Sequence, residues 1–221
     1  VSLHPQLTSS TCYRAPVIRS LKGSMPQRIL ISVTEKAGIE KFKTLADIGW
    51  EIISTGGTAK TLEAAGIACT PIETVTGFPE MMNGRLKTLH PNIFGGILAD
   101  RSKPEHMQVI ADHGIFPIDV VVVNLYAFDK KPGIENIDIG GPSLIRAAAK
   151  NGSSVTVVVD PADYDAVIKQ IVEQGNTDIR LREILAAKVF VHTGLYDLAI
   201  HKWMQEQPMG SVLTSASAAA H

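Results

Sequence analysis

Short apolar stretches alternate with segments of helical periodicity along most of this chain, and that alternation leaves few folds open. Arg28–Val33 reads as a short strand, and Glu35–Ile48 then sets Ile39, Phe42, Leu45 and Ala46 on one helical face. Trp50–Thr55 reads as a second strand. It is followed at once by Gly56-Gly57-Thr58 and a helix through Ala65 that stops at Gly66. Ala68–Glu73 is a third strand, demoted toward an edge by Pro71. After an irregular stretch from Thr74 to Asp100, Pro104–His113 is a helix ending at Gly114, and Asp119–Leu125 is apolar enough for burial on both faces of a sheet. Gly141–Lys150 is a helix with Pro142 at its first position, and Ser154–Val159 a further buried strand. The next helix has Asp160 as N-cap, Pro161 after it, and Val167, Ile168, Ile171 and Val172 on one face. Strands separated by helices mean βαβ crossovers. The expectation is therefore an α/β fold, a mainly parallel sheet of about five strands with helices on both faces. Asp178–Gln205 reads as one long helix, with Leu181, Ile184, Leu185, Val189, Leu195 and Leu198 in register, longer than a small sheet needs. Part of it is expected to pack on a partner domain or subunit.

Composition narrows the function classes. A chain of 221 residues with 45% apolar and 19% charged side chains supports a real core, and its formal charge of −1 argues against a nucleic-acid binder. No apolar run, the Val120–Val123 block included, approaches the length of a membrane span. Two cysteines, Cys12 and Cys69, make neither a disulfide framework nor a zinc spacing, and no His-x-x-x-His pair occurs, so no metal site and a reducing, cytoplasmic setting are expected. Residues 1–24 hold no carboxylate and read as a leader or an artificial extension; a native transit segment there would point to a plastid. Residues 25–206 are read as one domain and 207–221 as a disordered tail.

In an open parallel sheet, ligands bind beyond the carboxyl ends of the strands. Here those ends carry Ser32, Thr34 and Lys36 after the first strand, and Thr55, Gly57 and Thr58 after the second. The glycines lead straight into a helix N-terminus, which suits a phosphate. Neither a Walker A pattern nor GxGxxG is present. Gly84-Arg85-Leu86-Lys87-Thr88-Leu89-His90-Pro91, if extended, puts Arg85 and Lys87 on one face as a second anion site. Asn124 and Tyr126 end the apolar strand, Asp138 sits at a helix start where the dipole favours its ionised form, and Lys150 ends that helix. From the residues alone the reading stops at an α/β enzyme with a phosphorylated ligand.

Six ordered blocks carry a resemblance. They are Ser54–Lys60, Thr76–Met81, Gly84–Pro91, Asn124–Tyr126, Glu135–Gly141 and Arg146–Asn151. Together they resemble the IMP cyclohydrolase domain of the bifunctional AICAR transformylase/IMP cyclohydrolase family, from about Arg28 to Trp203. The resemblance implies a methylglyoxal-synthase-like fold and the dehydrative closure of 5-formamidoimidazole-4-carboxamide ribonucleotide to IMP. It implies Asp138 as proton acceptor, Lys87 as oxyanion stabiliser, and Tyr126 and Lys150 as assisting catalytic groups. Ser32, Thr34, Lys36, Thr55, Gly57 and Thr58 would cradle the 5′-phosphate, and Arg85, Thr88, Asn124, Ile139, Gly140 and Gly141 would hold base and ribose. It also implies a homodimer and no cofactor for ring closure, 10-formyltetrahydrofolate belonging to a downstream transformylase domain. The chain departs from the family pattern at Ala127, Phe94 and Gly152, and in a short segment between Phe128 and Glu135.

Two rivals share the fold. A methylglyoxal-synthase-like lyase would need Gly-Pro-x-Gly-Gly-Asp and Trp-Asp-Pro-Leu, which this chain lacks. A non-catalytic nucleotide sensor would have no use for the set Lys87, Tyr126, Asp138 and Lys150.

Overall fold

The computed structural model describes residues 26–82, 84–208 and 210–214. Strands β1 (Arg28–Ile31), β2 (Glu51–Ser54), β3 (Thr70–Pro71), β4 (Val120–Val122) and β5 (Thr156–Val158) form one sheet in the order β3-β2-β1-β4-β5. Every pairing is parallel, with Ile29 opposite both Ile52 and Val120. The three central strands are almost wholly buried, as Val- and Ile-rich runs between two helical layers must be.

The helices are α1 (Lys43–Asp47), preceded by a 3₁₀ turn at Ile39–Phe42, then α2 (Gly56–Ala64), α3 (Ile72–Thr76), α4 (Pro91–Leu98) and α5 (Pro104–Asp112). After β4 come α6 (Gly140–Lys150), α7 (Tyr164–Gln174) and the 28-residue α8 (Ile179–Glu206). Two groups cover the two faces of the sheet. On one, α1 and α7 meet where Phe42 and Tyr164 pack edge to face at 5.0 Å. On the other, α6 packs against α4, α8 and strands β4 and β5. Burial pushes the Tyr164 hydroxyl up to about 12, with the charges of Glu35 and Asp160 adding to the effect.

The strands are shorter than their apolar runs, because the ladder gives way at each carboxyl end to loops that face a cleft. The third strand shrinks most. Pro71 brings no N–H, and the chain turns at once into α3, which closes at Gly77 with φ +68°. The segment read as irregular holds α4. His90 Nδ1 accepts from the Asn92 N–H at 3.1 Å and Pro91 takes the first turn, so the helix is capped in the usual way. Gly95 and Gly96, inside the stretch read as irregular, are close-packing positions: a Cβ on Gly96 would stand 2.5 Å from the Phe116 carbonyl oxygen.

The α8 helix does two things. Leu185, Val189, Thr193 and Tyr196 bury one stripe of it, while Phe128, 2% exposed, wedges its loop against Tyr196 and Trp203. Its other side leaves Ile184, Val191, Leu195 and Leu198 between 45% and 64% exposed. No described helix is long and apolar enough to cross a membrane. Of the segment read as a tail, Ser211–Thr214 forms a helical turn. The leader read at 1–24, Met25 and residues 215–221 lie outside the described residues.

Candidate active site

The strand order reverses at β1, between β2 and β4, and a cleft of about 780 Å³ opens there beyond the strand ends. Its floor is the end of β1. Ser32 Oγ shares a hydrogen bond of 2.8 Å with Thr55 Oγ1, joining the polar ends of β1 and β2. At the start of α2 the N-cap Thr55 makes no side-chain cap, and among the described residues no acceptor faces the Gly56 and Gly57 N–H groups, while those of Thr58 and Ala59 turn back to the Thr55 carbonyl. Two free donors, two hydroxyls and a helix N-terminus make an anion seat. Lys36 stands over it, the one cation of the cleft wall with no carboxylate within 4.0 Å among the described residues.

Two residues assigned to the ligand are occupied with the scaffold. Thr58 is buried, and its Oγ1 accepts from the Val33 N–H at 3.1 Å and donates to the Val33 carbonyl at 3.0 Å, clipping α2 to β1. Asn124 Oδ1 accepts from the N–H groups of Thr34 and Glu35 at 2.7 and 3.0 Å, and its Nδ2 donates to the Glu35 carbonyl at 2.9 Å. Both line the cleft, but by shaping the 33–35 loop.

The opposite wall is a hairpin and the start of α6. The 84–91 stretch is not extended at its beginning. Met81 and Leu86 pair as an antiparallel bridge around a turn in which Met82 and Gly84 have φ of 54° and 87°. Arg85 and Lys87 still both line the cleft, each paired with a carboxylate: Arg85 with Glu135, and Lys87 Nζ with Glu80 Oε2 at 3.0 Å. Thr88 is buried against Gly140, where a Cβ would stand 2.8 Å from its Oγ1.

Asp138 precedes α6 and accepts the Gly141 N–H through Oδ1 at 2.9 Å, which leaves Oδ2 without a hydrogen-bond partner among the described residues. A Cβ on Gly141 would lie 2.3 Å from that Oδ2, so only glycine lets the carboxylate sit there. The Asp138 N–H in turn donates to the Tyr196 hydroxyl at 2.8 Å. Burial raises the Tyr196 pKa, the charges of Asp138 and Asp197 reinforcing it and the bond from the Asp138 backbone opposing it. Tyr196 is thus a tether for Asp138 from α8, and no motif in the sequence singles it out.

Ser32, Thr34, Lys36, Thr55, Gly57, Thr58, Arg85, Lys87, Thr88, Asn124, Asp138, Ile139, Gly140 and Gly141 are brought together around this cleft. Tyr126 and Lys150 are not. Tyr126 is half-buried just past β4, outside the cleft wall. Lys150 is exposed at the far end of α6, about 15 Å along the axis from Gly140 at 1.5 Å per residue. Its neighbour Asn151 donates to the Ile97 and Ala99 carbonyls at 2.7 and 3.0 Å, a link that fixes the end of α4. Among the described residues no group of His, Cys, Asp and Glu could hold a metal ion. The arrangement is an anion seat at the start of α2, with the Lys87 ammonium beside it (a Cβ on Gly56 would stand 3.1 Å from its Nζ) and the Asp138 carboxylate on the wall of the same cleft.

Residues 38–152 match the family described as "MGS-like domain", and residues 148–220 match "AICARFT/IMPCHase bienzyme". Among curated proteins, the "Bifunctional purine biosynthesis protein PurH" of Streptococcus suis is 55% identical over 193 residues, 83% of this chain and 38% of the relative. The protein of that name from Listeria welshimeri is 57% identical over 188 residues, 80% of this chain and 37% of the relative. The chain therefore spans less than two fifths of these relatives. A solved structure described as "Crystal structure of ForH" superposes with a TM-score of 0.73 at 34% identity, over 80% of this chain and 97% of that one.

Proposed function

The chain belongs to the MGS-like domain family, and on that footing we propose that it is an IMP cyclohydrolase, the ring-closing part of a purine-biosynthesis bienzyme. The observation that carries the reading is that Lys87 and Asp138 share one cleft with an anion seat formed by Ser32, Thr55, Gly56, Gly57 and Lys36, Lys87 lying at the Gly56 end of that seat. The phosphate of 5-formamidoimidazole-4-carboxamide ribonucleotide occupies that seat, with Arg85, Thr88 and the Ile139–Gly141 backbone along base and ribose. The carboxamide nitrogen attacks the formyl carbon. Asp138 takes the proton that nitrogen sheds, through the oxygen its helix cap leaves free. Lys87 faces the formyl oxygen, on which negative charge gathers; that oxygen leaves as water with the proton taken up by Asp138 and a second one shed by the formamide nitrogen as the ring C=N bond forms. The reaction changes no oxidation state, so acid–base and electrostatic groups suffice; folate belongs to the transformylase domain of the longer relatives.

Asp138→Asn tests this directly. The amide keeps a cap for Gly141 and keeps IMP affinity, while turnover falls by about 10²- to 10⁴-fold. Near-normal turnover would remove Asp138 as the base, and retained binding without turnover in the parent chain would favour a nucleotide sensor.

The quaternary part of the proposal is a homodimer. The exposed stripe of α8 supports it, and so does Lys150, which the resemblance assigns to catalysis and the fold sets at the exposed end of α6 away from its own cleft. Lys150 of one protomer then serves its partner's cleft, with Tyr126 at the rim. Mixing inactive Lys87→Ala and Lys150→Ala chains would restore about a quarter of the sites in a randomly reassorted two-fold dimer. No recovery, from chains that do reassort, would mean that Lys150 does not serve the partner's cleft, and a fully active Lys150→Ala chain would place it outside the reaction.

A further inference from the structure

We propose that Glu80 is the positioning residue of Lys87, fixing its ammonium group in the cleft beside the start of α2, an inference that rests on the ring-closure reading above. The register of the hairpin makes the pair. Met81 and Leu86 exchange two backbone hydrogen bonds, Met81 N–H to the Leu86 carbonyl at 3.2 Å and Leu86 N–H to the Met81 carbonyl at 3.4 Å. In an antiparallel ribbon the pair next to a doubly bonded one has no hydrogen bonds between its backbones, and its side chains stand closest, at about 4.5 Å between Cα atoms. One step out from Met81 and Leu86, that pair is Glu80 and Lys87, and their charged atoms meet at 3.0 Å.

Two glycines clear the space around them. A Cβ on Gly84, where φ is +87°, would stand 3.0 Å from Glu80 Oε1; one on Gly56, where φ is +20°, would stand 3.1 Å from Lys87 Nζ. The ammonium group is thus held between a carboxylate on its own hairpin and the first backbone unit of α2. Glu80 itself does not line the cleft, so it acts through Lys87 and not on the ligand. The pair is partly open to solvent, at 23% and 42% side-chain exposure, where an ion pair adds little to stability. What it supplies is placement. A free lysine has four rotatable bonds to distribute, and an oxyanion stabiliser is effective only in one narrow position.

The test is a double-mutant cycle read as kcat and KM for ring closure, in the full chain. Glu80→Gln lowers kcat by about 10- to 100-fold, the scale of a misplacement near 1 Å, with KM changed little. Glu80→Asp, which keeps the charge, recovers part of the loss. In a Lys87→Ala background, Glu80→Gln changes kcat by less than about twofold, because its route of action is gone. The melting temperature of Glu80→Gln stays at that of the parent. Losses that multiply in the double variant, or a kcat that falls only with the melting temperature, would mean a merely structural role and overturn the proposal. So would normal turnover in Glu80→Gln. Absence of turnover in the parent chain would overturn the ring-closure reading and this inference with it, an outcome distinct from an active parent with an indifferent Glu80→Gln.

Discussion

Adding one methyl group at Gly141 is the sharpest way to disturb the geometry that places Asp138. The backbone there has an ordinary negative φ, so the penalty is steric alone. The new Cβ would lie 2.3 Å from Asp138 Oδ2 and 2.8 Å from Leu125 Cδ2, against the 3.4 Å at which ordinary contact begins. The carboxylate must therefore retreat by about 1 Å, and it cannot do so while Oδ1 keeps its 2.9 Å bond to the Gly141 N–H. Displacement of a reacting group by that distance costs about 100-fold in kcat. The overpacking, together with the weakened helix cap, costs about 2 kcal/mol of stability. Steady-state ring closure and urea denaturation read the two effects separately. Gly194→Ala on α8, where a Cβ meets nothing within 4 Å, serves as the control and should be neutral or slightly stabilising. A Gly141→Ala variant with kcat within threefold of the parent and an unchanged urea midpoint would refute the reasoning, because the carboxylate would have found room that the structure does not contain.

Other outcomes follow from the same contacts. Gly96→Ala drives a methyl group to 2.5 Å from the Phe116 carbonyl oxygen, so denaturation should show a loss of about 1–3 kcal/mol. Lys36→Met removes the unpaired cation over the anion seat and should raise KM by about 10- to 100-fold with a much smaller change in kcat. Acidification should loosen the fold. Burial holds His90 below its usual pKa in the native state, and its neutral Nδ1 caps α4, so the unfolded chain binds the proton first. The stabilisation is complete above about pH 6.5 and is lost as pH falls from there through the lower native value. His192 shifts the same way by burial, opposed by the charge of Asp160. His90→Asn, which caps without titrating, should flatten part of that slope in urea melts across pH 5–7; an unaltered slope would contradict the assignment.

Much of this fold is legible in the residues because the buried strands are uninterrupted Val and Ile runs and most helices begin or end at Pro, Asp or Gly. The failures have physical causes. Gly95-Gly96 looks like a break until the Phe116 carbonyl is brought beside it, a contact no local pattern encodes. Ala68–Glu73 has strand-like composition, yet Pro71 and the demands of α3 leave it two residues of ladder. For the site, the strand-end rule brings Ser32, Thr34, Lys36, Thr55, Gly57, Thr58 and Asn124 to one cleft and misplaces Tyr126, and it cannot say which of them face a ligand. Thr58 and Asn124 spend their hydrogen bonds on the loop after β1. Tyr196 and Glu80 were invisible as functional residues for the opposite reason, since each acts on another side chain's position across the fold.

The central claim is that this chain closes the purine ring by itself with Lys87 and Asp138. Ultraviolet detection of IMP formed from 5-formamidoimidazole-4-carboxamide ribonucleotide, with no metal or folate added, tests it most directly. Turnover by the parent chain is expected, with a drop of about 10²- to 10³-fold in Lys87→Ala and IMP binding largely kept. A parent chain that binds IMP and forms none, or a Lys87→Ala variant that turns over like the parent, would contradict it.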